Sequence, residues 1–340
     1  MTDFADVLAA QSRLAGRIKK SPLVRSHLLE QWLSERLPQS QRHTIWFKAE
    51  CLQHTGAFKI RGATNFIAKL AEQGQLPQRF VANSSGNHAQ AVAYAASQFN
   101  RPATIFAAQN ISSIKAAATR SYGAELKLFP TRPEADEAVR IASQSPDTTW
   151  IPPFNHPDII AGQGTAVAES LQELDDIDAV FAPCGGGGLL SGSLIATRAL
   201  APHADVIGAE PLAANDAAES LRTGSIQSLS SPAKTLADGA ATPSIGEHTF
   251  PFLQQLDGFY EINEQDITYW SQWLHHLLKL HIEPTCCMSM QAVAEYLAKQ
   301  DEPKRVLVVL SGGNISAQTM ATLFQDDHLS EPPHIEMLNR

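Results

Sequence analysis

Three observations predict an α/β protein with parallel sheets. Short apolar, β-branched runs recur along the 340 residues, and each is followed by a loop and then by helical periodicity. Repeated strand–loop–helix units of this kind form parallel strands covered by helices. Apolar residues make up 44% of the chain and charged residues 18%, a balance that favours a folded core over disorder. A chain of this length has room for two domains.

The first half of the chain alternates strands with helices. β-branched and aromatic residues fill the run at 44–48, as in a strand, and Phe66, Ile67 and Leu70 then share one face of a helix at 65–73. The elements that follow show the same two patterns, short apolar runs and alanine-rich or amphipathic stretches, which predict strands at 80–82, 103–107 and 125–129 and helices at 88–99 and 113–121.

The second half repeats this pattern. Apolar runs predict strands at 179–182, 205–209 and 305–310, and a helix follows the first of them at 189–200. The loop at 224–231 is rich in serine and glycine, so we expect it to be exposed. The tail after Asp326 is polar, and we expect it to be loosely attached.

The charge of the chain argues against several classes of partner. The net charge is −9 and no long run of lysine and arginine occurs, which disfavours nucleic acids and anionic membranes. The first ten residues carry two aspartates and no basic cluster, unlike a signal peptide, and no apolar run is long enough to span a bilayer. We therefore expect a cytoplasmic protein whose partner is a small molecule.

The cysteine spacing argues against a structural zinc site. The four cysteines, Cys51, Cys184, Cys286 and Cys287, form no C-x-x-C pair. Buried, reduced thiols are the expected state of these side chains.

A glycine loop joins the strand at 179–182 to the helix that follows. It consists of Gly185, Gly186, Gly187 and Gly188. A strand, a glycine loop and a helix start present main-chain N–H groups to an anion at the positive end of the helix. Leu190 replaces the third glycine of G-x-G-x-x-G, and Ser193 replaces the lysine of a Walker loop. The loop therefore suits a small phosphate monoester, and its alternative explanation is a flexible connection.

Lys59 stands between Phe58 and Ile60 in the segment TGAFKIRGA, at the start of a predicted helix. Partial desolvation between apolar neighbours would lower its pKa, which suits an amine that acts as nucleophile and base. For a lysine taken alone, a solvated surface position is the more common explanation.

Two polar turns also follow predicted strands. The segment from Asn83 to His88 either caps the next helix or leaves N–H groups and hydroxyls free for a carboxylate. Ser311 comes directly after the strand at 305–310 and either binds a ring nitrogen or forms a simple turn. Because ligands of open α/β sheets bind beyond the carboxyl ends of strands, these loops are the expected site.

Taken together, these segments resemble a known family. TGAFKIRGA, SSGNHAQ, CGGGGLLSG and LSGGN, in this order, resemble the serine/threonine dehydratase and serine racemase family of fold-type II pyridoxal-phosphate enzymes. Shorter matches lie at YGAEL, IAGQGT, GAEP, LADG and IEPT, so the resemblance runs from about Pro22 to about Ala321. It implies the tryptophan synthase β-like fold, with two three-layer α/β/α domains and the cofactor between them.

The resemblance implies a set of cofactor contacts. Lys59 is expected to carry pyridoxal 5'-phosphate as a Schiff base, with Phe58 beside it. The glycine loop and Leu189 are expected to hold the phosphate, Asn87 the 3'-oxygen of the ring, and Ser311 the ring nitrogen. Three further residues are expected near the cofactor: Asn155, Gly239 and Glu283.

The resemblance also implies how the substrate is held. The residues expected to clamp its carboxylate are Ser84, Ser85, Asn87 and His88. Ser85 additionally matches the serine that serves racemases as the acid or base on the face opposite the lysine.

A divalent-cation loop is implied at the segment EPLAAND. Its ligands would be the carboxylates of Glu210 and Asp216 and the carbonyl of Ala214, completed by water. Such oxygen ligands suit Mg²⁺, Ca²⁺ or Mn²⁺. The alternative is an acidic surface loop after a strand.

The reaction implied by the resemblance is removal of the β-hydroxyl of L-threonine or L-serine, which yields a 2-oxo acid and ammonia. Lys59 would take the α-proton, and a serine at the ring nitrogen favours elimination over transamination. The alternatives are an amino-acid racemase that uses Lys59 and Ser85, a threo-3-hydroxyaspartate dehydratase, a β-replacement enzyme and a non-catalytic pyridoxal-phosphate binding protein. For the hydroxyaspartate reaction, the sequence places no cation for the second carboxylate.

Two departures from the family pattern leave the substrate open. Ala57 stands where many relatives have serine, and Cys286-Cys287-Met288 replaces small residues, which would either narrow the site or repack around it. The resemblance also implies a homodimer. A small mobile domain at 78–152 would close over the substrate, and 1–77 with 153–340 would form the large cofactor domain.

Overall fold

The computed structural model describes residues 1–335, and its strands form two sheets. The strands in this part of the chain are β1 (Leu23–Val24), β2 (Thr44–Ala49), β3 (Arg79–Asn83), β4 (Ala103–Ala108), β5 (Glu125–Phe129), β6 (Thr148–Trp150), β7 (Ala179–Pro183), β8 (Asp205–Pro211), β9 (Gly258–Ile262) and β10 (Arg305–Leu310). The larger sheet has the order β1-β2-β10-β7-β8-β9, and the smaller sheet has the order β5-β4-β3-β6.

Helices cover both sheets. They are α1 (Phe4–Leu14), α2 (His27–Leu33), α3 (Lys59–Glu72), α4 (Asn87–Gln98), α5 (Ser113–Ser121), α6 (Arg132–Ala142), α7 (Pro157–Leu171), α8 (Gly188–Leu200), α9 (Asp216–Thr223), α10 (Phe250–Leu253), α11 (Glu264–Leu278), α12 (Pro284–Cys287), α13 (Ser289–Leu297) and α14 (Ala317–Leu323). The predicted α/β class is therefore confirmed, and the predicted strands and helices lie close to their expected bounds, except that the helix predicted at 65–73 begins six residues earlier, at Lys59.

All neighbouring strands are parallel except β1 and β2. In β10, Val308 is in register with Phe47 of β2 on one side and with Phe181 of β7 on the other. The carboxyl ends of these three strands therefore lie side by side. The segments that leave this edge lead to Lys59, to Ser311 and to the glycine loop, so the topology brings the three sequence motifs together.

Both faces of the larger sheet are buried, as its central strand shows. Val306, Val308 and Leu310 pack into one apolar cluster, whereas Leu307 and Val309 pack into another on the opposite face. Successive side chains of a strand point to opposite faces, so a continuous apolar run is the pattern of a strand covered by helices on both sides.

A buried charge network fixes the beginning of α3. The guanidinium of Arg61 binds the carboxylates of Glu50 and Glu169 at 2.8 Å, and Lys48 binds Glu169 at 2.8 Å. Burial alone would lower the pKa of Arg61, but the two carboxylates outweigh it and raise that pKa. The network ties α3 to β2 and α7 two residues after Lys59, and buried charges of this kind require such pairing.

The tail after Asp326 differs from its prediction. Trp273 Nε1 donates a 3.1 Å hydrogen bond to the carbonyl of His328, and the Tyr269 hydroxyl donates one of 3.0 Å to the carbonyl of Glu331. Residues 327–335 therefore pack against α11 and are not loose, because indole and phenol donors on that helix satisfy their carbonyls. Residues 336–340 lie outside the described part. In residues 1–335, no helix has both the length and the apolar character needed to cross a bilayer.

Candidate active site

A cavity lies where the carboxyl ends of β2, β7 and β10 meet. Its walls come from the segments that follow these strands and from loops packed against them. The lining residues are Phe58, Lys59, Phe154, Pro183, Gly185, Gly186, Gly187, Gly188, Leu189, Gly239, Thr242, Thr285 and Ser311.

The glycine loop offers unpaired main-chain donors to this cavity. Gly187 has φ +89°, a left-handed conformation that favours glycine, and it caps α8 without a side-chain acceptor. Among the described residues, the N–H groups of Gly185, Gly186 and Gly187 have no main-chain acceptor, and the first N–H groups of any helix lack one. A Cβ on Gly186 would lie 2.3 Å from the ring of Phe154, so the loop has no room for side chains. This arrangement fits a phosphate group.

Lys59 reaches the same cavity from the first turn of α3. Its amine donates a 2.7 Å hydrogen bond to the carbonyl of Pro153 and lies 5.1 Å from the ring centroid of Phe58. The side chain keeps some contact with the cavity, but protein surrounds the amine, and this desolvation lowers the pKa of Lys59 to about 8. A buried amine with this pKa suits covalent attachment to an aldehyde and exchange of a proton near neutral pH.

Ser311 lies in the cavity at the end of β10. Its carbonyl accepts a 2.9 Å hydrogen bond from the N–H of Phe58, which fixes its main chain beside the lysine segment. The side chain is 3% exposed, and its hydroxyl has no hydrogen-bond partner among the described residues. A buried hydroxyl that faces a cavity is available to a ligand atom, as the expected ring nitrogen requires.

Asn87 belongs to a buried polar cluster beside the cavity. Its Nδ2 donates to both carboxylate oxygens of Glu283 at 3.0 Å, and its Oδ1 accepts a 2.7 Å hydrogen bond from Asn314 Nδ2. The N–H of Asn314 also donates to Glu283 at 2.9 Å. Burial raises the pKa of Glu283 to about 7, although the hydrogen bond from Asn87 opposes the shift. The cluster fixes the orientation of the Asn87 amide.

The loop before α4 leaves main-chain donors available, as the expected carboxylate site requires. α4 begins at Asn87, and its N-cap, Gly86, provides no side-chain acceptor, so the first N–H groups of the helix remain available to an anion. The Ser84 hydroxyl accepts a 3.1 Å hydrogen bond from the N–H of Gly86, and Ser85 is half-buried. The serines therefore either line the anion site or shape its loop.

His88 differs from a cationic clamp. Burial, together with the nearby Lys59 charge, lowers the pKa of His88 to about 3, and its Nε2 lies 2.8 Å from the carbonyl of Ile151. The ring is therefore neutral, and it donates from Nε2 to that carbonyl, which leaves Nδ1 as an acceptor. His88 can assist a carboxylate only through its main-chain N–H.

Two further expected cofactor residues occupy different positions. Gly239 lines the cavity, and its N–H donates a 3.0 Å hydrogen bond to Thr285 Oγ1. Asn155 Oδ1 instead accepts a 2.8 Å hydrogen bond from the N–H of His248, so it braces the loop that packs behind Phe154.

Sequence reasoning missed several lining residues. Phe154, Thr242 and Thr285 line the cavity, and the Pro153 carbonyl anchors Lys59. Thr285 lies inside the IEPT match, so the resemblance could have indicated that it lies near the cofactor. The other three occupy loops whose positions depend on contacts with distant parts of the chain.

The cysteine segment repacks the core without narrowing the cavity. Cys286, Cys287 and Met288 are fully buried in the apolar cluster on one face of the larger sheet. Cys286 Sγ donates a 3.1 Å hydrogen bond to the carbonyl of Glu283, and only Thr285 of this segment lines the cavity. The three bulkier side chains are therefore not among the residues that line the cavity.

Glu210 and Asp216 lie together at the end of β8. The carboxylate of Glu210 accepts hydrogen bonds from the N–H groups of Ala217 and Ala218, and it is 1% exposed. Asp216 is 2% exposed, and its Oδ2 has no partner among the described residues. Burial raises the pKa of Glu210 to about 9 and that of Asp216 to about 7. In residues 1–335, no cluster of three or more acidic, histidine or cysteine side chains is found.

Comparisons with known proteins agree with this geometry. A family model described as pyridoxal-phosphate dependent enzyme matches residues 14–312. The chain is 40% identical over 324 residues to L-threo-3-hydroxyaspartate ammonia-lyase of Saccharomyces cerevisiae, which covers 94% of this chain and 95% of that protein. It is 35% identical to serine racemase of Schizosaccharomyces pombe, over 94% of this chain and 96% of that protein.

A solved structure of a threonine deaminase from T.th. superposes with a TM-score of 0.84 at 38% identity, over 92% of this chain and 99% of that chain. The fold-type II architecture expected from the sequence motifs is thereby confirmed.

Proposed function

The chain belongs to the family of pyridoxal-phosphate dependent enzymes, and from this premise we propose that it is an ammonia-lyase. Its reaction is loss of the β-hydroxyl from a small β-hydroxy amino acid, followed by release of ammonia and a 2-oxo acid. One observation supports this proposal above the others. The Lys59 amine lies in a cavity that is also lined by the glycine loop, with its unpaired N–H groups, and by Ser311. The names of the hydroxyaspartate ammonia-lyase and threonine deaminase relatives support it.

The cavity residues fit pyridoxal phosphate. The glycine loop and Leu189 would hold the phosphate, Ser311 the ring nitrogen, and Lys59 the aldehyde carbon covalently. When bound, this cofactor accepts the electrons left behind as the α-proton departs. Asn87 and Glu283 would face the ring oxygen.

Lys59 supplies the base for the reaction. An amine with a pKa of about 8 is partly neutral near neutral pH, so it can accept the α-proton without a second base. The Pro153 carbonyl stabilises the protonated amine through the 2.7 Å hydrogen bond that it accepts. Lys59 therefore both removes the proton and stores it close to the reacting atom.

Ser311 favours elimination over other outcomes. A neutral hydroxyl, unlike a carboxylate, carries no charge that would hold a proton at the ring nitrogen. The substrate carboxylate would bind at the N-terminus of α4, beside Ser84 and Ser85, where main-chain donors and the helix dipole both favour an anion. This placement orients the α-carbon toward Lys59.

Racemisation is the second candidate function, and the half-buried Ser85 favours it. Its hydroxyl has no hydrogen-bond partner among the described residues, so it would be available as the acid or base that the family resemblance implies on the face opposite Lys59. The serine racemase relative supports this candidate. The D-isomer yield separates the two functions.

A divalent cation at Glu210 and Asp216 is a further part of the proposal. The unpartnered Asp216 Oδ2 and the buried Glu210 carboxylate suit a hard cation that needs oxygen ligands, and the Ala214 carbonyl is the third ligand that the family resemblance implies. Mg²⁺ would neutralise two carboxylates whose ionisation is otherwise opposed by burial. A homodimer and closure of a mobile domain at 78–152 over the substrate are proposals from the family resemblance.

The proposed reaction is tested by product analysis. Holoenzyme with Mg²⁺ would be incubated separately with L-serine, L-threonine and L-threo-3-hydroxyaspartate, and ammonia, 2-oxo acid and D-isomer would be measured. Ammonia and oxo acid in equal amounts support the proposal. A product that is mainly D-isomer moves the assignment to racemase, and absence of all three products refutes a catalytic role toward these amino acids.

A further inference from the structure

One cation, which pairs with a residue next to the cavity wall, has no role in the reaction described above. Lys115 lies in the first turns of α5, which follows β4 in the smaller sheet. Because β3 and β4 are parallel neighbours, α5 and the carboxylate loop before α4 leave the same edge of that sheet. Lys115 is therefore placed beside the expected position of the substrate.

Lys115 makes a contact that crosses the site. Its Nζ donates a 3.0 Å hydrogen bond to Asp238 Oδ2, in the loop that leads to Gly239 and the cavity wall. The Lys115 side chain is 13% exposed and that of Asp238 is 61% exposed. The pair thus connects α5, which follows a strand of the smaller sheet, to the segment that carries Gly239 of the cavity wall.

The ammonium of Lys115 retains donors for a ligand. It carries three N–H groups, and Asp238 is its one acceptor among the described residues. Its positive charge acts on buried Glu283 beside the cavity, where it opposes the rise in the pKa of that carboxyl. Two other basic residues nearby cannot serve as the cation for a second carboxylate, because Lys59 is needed for the reaction and His88 is neutral.

We infer that Lys115 binds the second carboxylate of a dicarboxylic β-hydroxy amino acid, of which L-threo-3-hydroxyaspartate is the smallest, and thereby selects it over threonine and serine. The inference rests on the proposed ammonia-lyase function and specifies its substrate class. With the α-carboxylate at α4, the substituent on the β-carbon would extend toward α5, because the loops after β3 and β4 leave the same edge of the smaller sheet. The methyl group of threonine would gain no binding energy from the Lys115 ammonium, whereas the second carboxylate of hydroxyaspartate would accept a charge-assisted hydrogen bond from it.

A purely structural role for the pair makes a different prediction. If Lys115 and Asp238 only hold the two sheets together, loss of the pair would slow all substrates by the same factor. A role in recognition affects the dicarboxylic substrate alone, mainly through its KM.

The test compares Lys115→Gln and Lys115→Arg with wild-type holoenzyme. Lys69→Gln is the matched control, because Lys69 also pairs with an acidic side chain, Asp158, at 2.6 Å, between α3 and α7 and away from the cavity lining. kcat and KM would be measured for L-threo-3-hydroxyaspartate, L-threonine and L-serine. Binding of succinate, with butyrate as its monocarboxylate counterpart, would be measured by calorimetry.

Lys115→Gln is expected to lower kcat/KM for hydroxyaspartate about 10- to 100-fold, the effect of losing a hydrogen bond between charged groups, and to change kcat/KM for threonine and serine less than about threefold. Succinate affinity should fall in parallel, and butyrate affinity should not. Lys115→Arg keeps the charge and is expected to retain most of the preference, and Lys69→Gln should behave as wild type.

Two other outcomes overturn the inference. An equal loss for all three amino acids assigns the pair to structure, and no loss for hydroxyaspartate or succinate removes Lys115 from recognition. A wild-type protein inactive with every amino acid would refute the proposed function instead, and the succinate titration would still decide whether Lys115 binds a second carboxylate.

Discussion

The amine of Lys59 lies 2.7 Å from the carbonyl oxygen of Pro153, a residue 94 positions later in the chain. This contact joins the first turn of α3 to the loop that follows β6, at the junction of the two sheets. It holds the amine at the cavity without a carboxylate partner, so burial lowers its pKa and no negative charge offsets that effect.

The reactivity of Lys59 should therefore follow an unusual pH profile. The rate at which apo-protein takes up pyridoxal phosphate is expected to rise with pH and to be half-maximal near pH 8, because only the neutral amine attacks an aldehyde. Stopped-flow absorbance between pH 6 and pH 10 measures this rate. A profile that is still rising at pH 10, as for a solvated lysine, would contradict the assigned environment.

The glycine loop should not tolerate even one added carbon. Gly186→Ala would place a Cβ 2.3 Å from the Phe154 ring, so we expect a destabilisation of about 1–3 kcal/mol and weaker cofactor binding. Gly258→Ala is the matched control, since its Cβ would meet neighbours at 3.5 Å, an ordinary contact. Urea unfolding and equilibrium dialysis with pyridoxal phosphate measure both effects. Equal behaviour of the two variants would show that the loop can move away from Phe154.

Glu283 should make the stability of the apo-protein depend on pH. Its folded-state pKa, about 7, lies above the ordinary value of 4.5, so its contribution is fully present below pH 4.5 and is lost as pH rises through 7. Glu283→Gln, which stays neutral, should reduce the loss of unfolding free energy between pH 5 and pH 8 by up to about 3 kcal/mol. Urea titrations at both pH values test this, with exposed Glu302→Gln as control. Identical pH profiles for wild type and Glu283→Gln would refute it.

A divalent cation should stabilise the protein most at alkaline pH. The raised pKa values of Glu210 and Asp216 mean that, without a cation, stability is lost as pH rises from about 4 toward 9. Mg²⁺ at about 100 times its Kd should restore about 2.7 kcal/mol, and more at pH 8.5 than at pH 6, because only ionised carboxylates bind it. Thermal unfolding with EDTA or Mg²⁺ measures this response.

Asp216→Asn should abolish the Mg²⁺ response, whereas Glu219→Gln, on the same helix but paired with Arg222, should keep it. An unchanged response in Asp216→Asn, or none in wild type with Mg²⁺, Ca²⁺ or Mn²⁺, would reject this cation site.

The sequence was sufficient where a strand has a clear local pattern. β10, which is buried on both faces, has a continuous apolar run, and the edge strand β5 has alternating residues; both begin and end at the predicted residues. β1, β6 and β9 were not predicted. β1 and β9 are edge strands of the larger sheet and β6 of the smaller, and all are largely half-buried, so pairing with a neighbour rather than local pattern makes them strands.

Some residues of the candidate site could also be predicted from local sequence, and others could not. Lys59, Ser311 and the glycine loop carry local motifs, and parallel topology brings them to one edge. The bond between Asn87 and Glu283 joins residues 196 positions apart, and Lys115 meets Asp238 across 123 positions. No local pattern encodes such pairs, because tertiary packing creates them.

Removal of the α-proton by Lys59 is the step on which the proposed elimination depends, and L-threonine deuterated at the α-carbon reports on it. With wild-type holoenzyme, 2-oxo acid formation is predicted to show a primary isotope effect, and Lys59→Ala loaded with pyridoxal phosphate is predicted to lose this activity by a factor of at least about 10³. Oxo acid formed by Lys59→Ala at a rate near that of wild type would contradict the account.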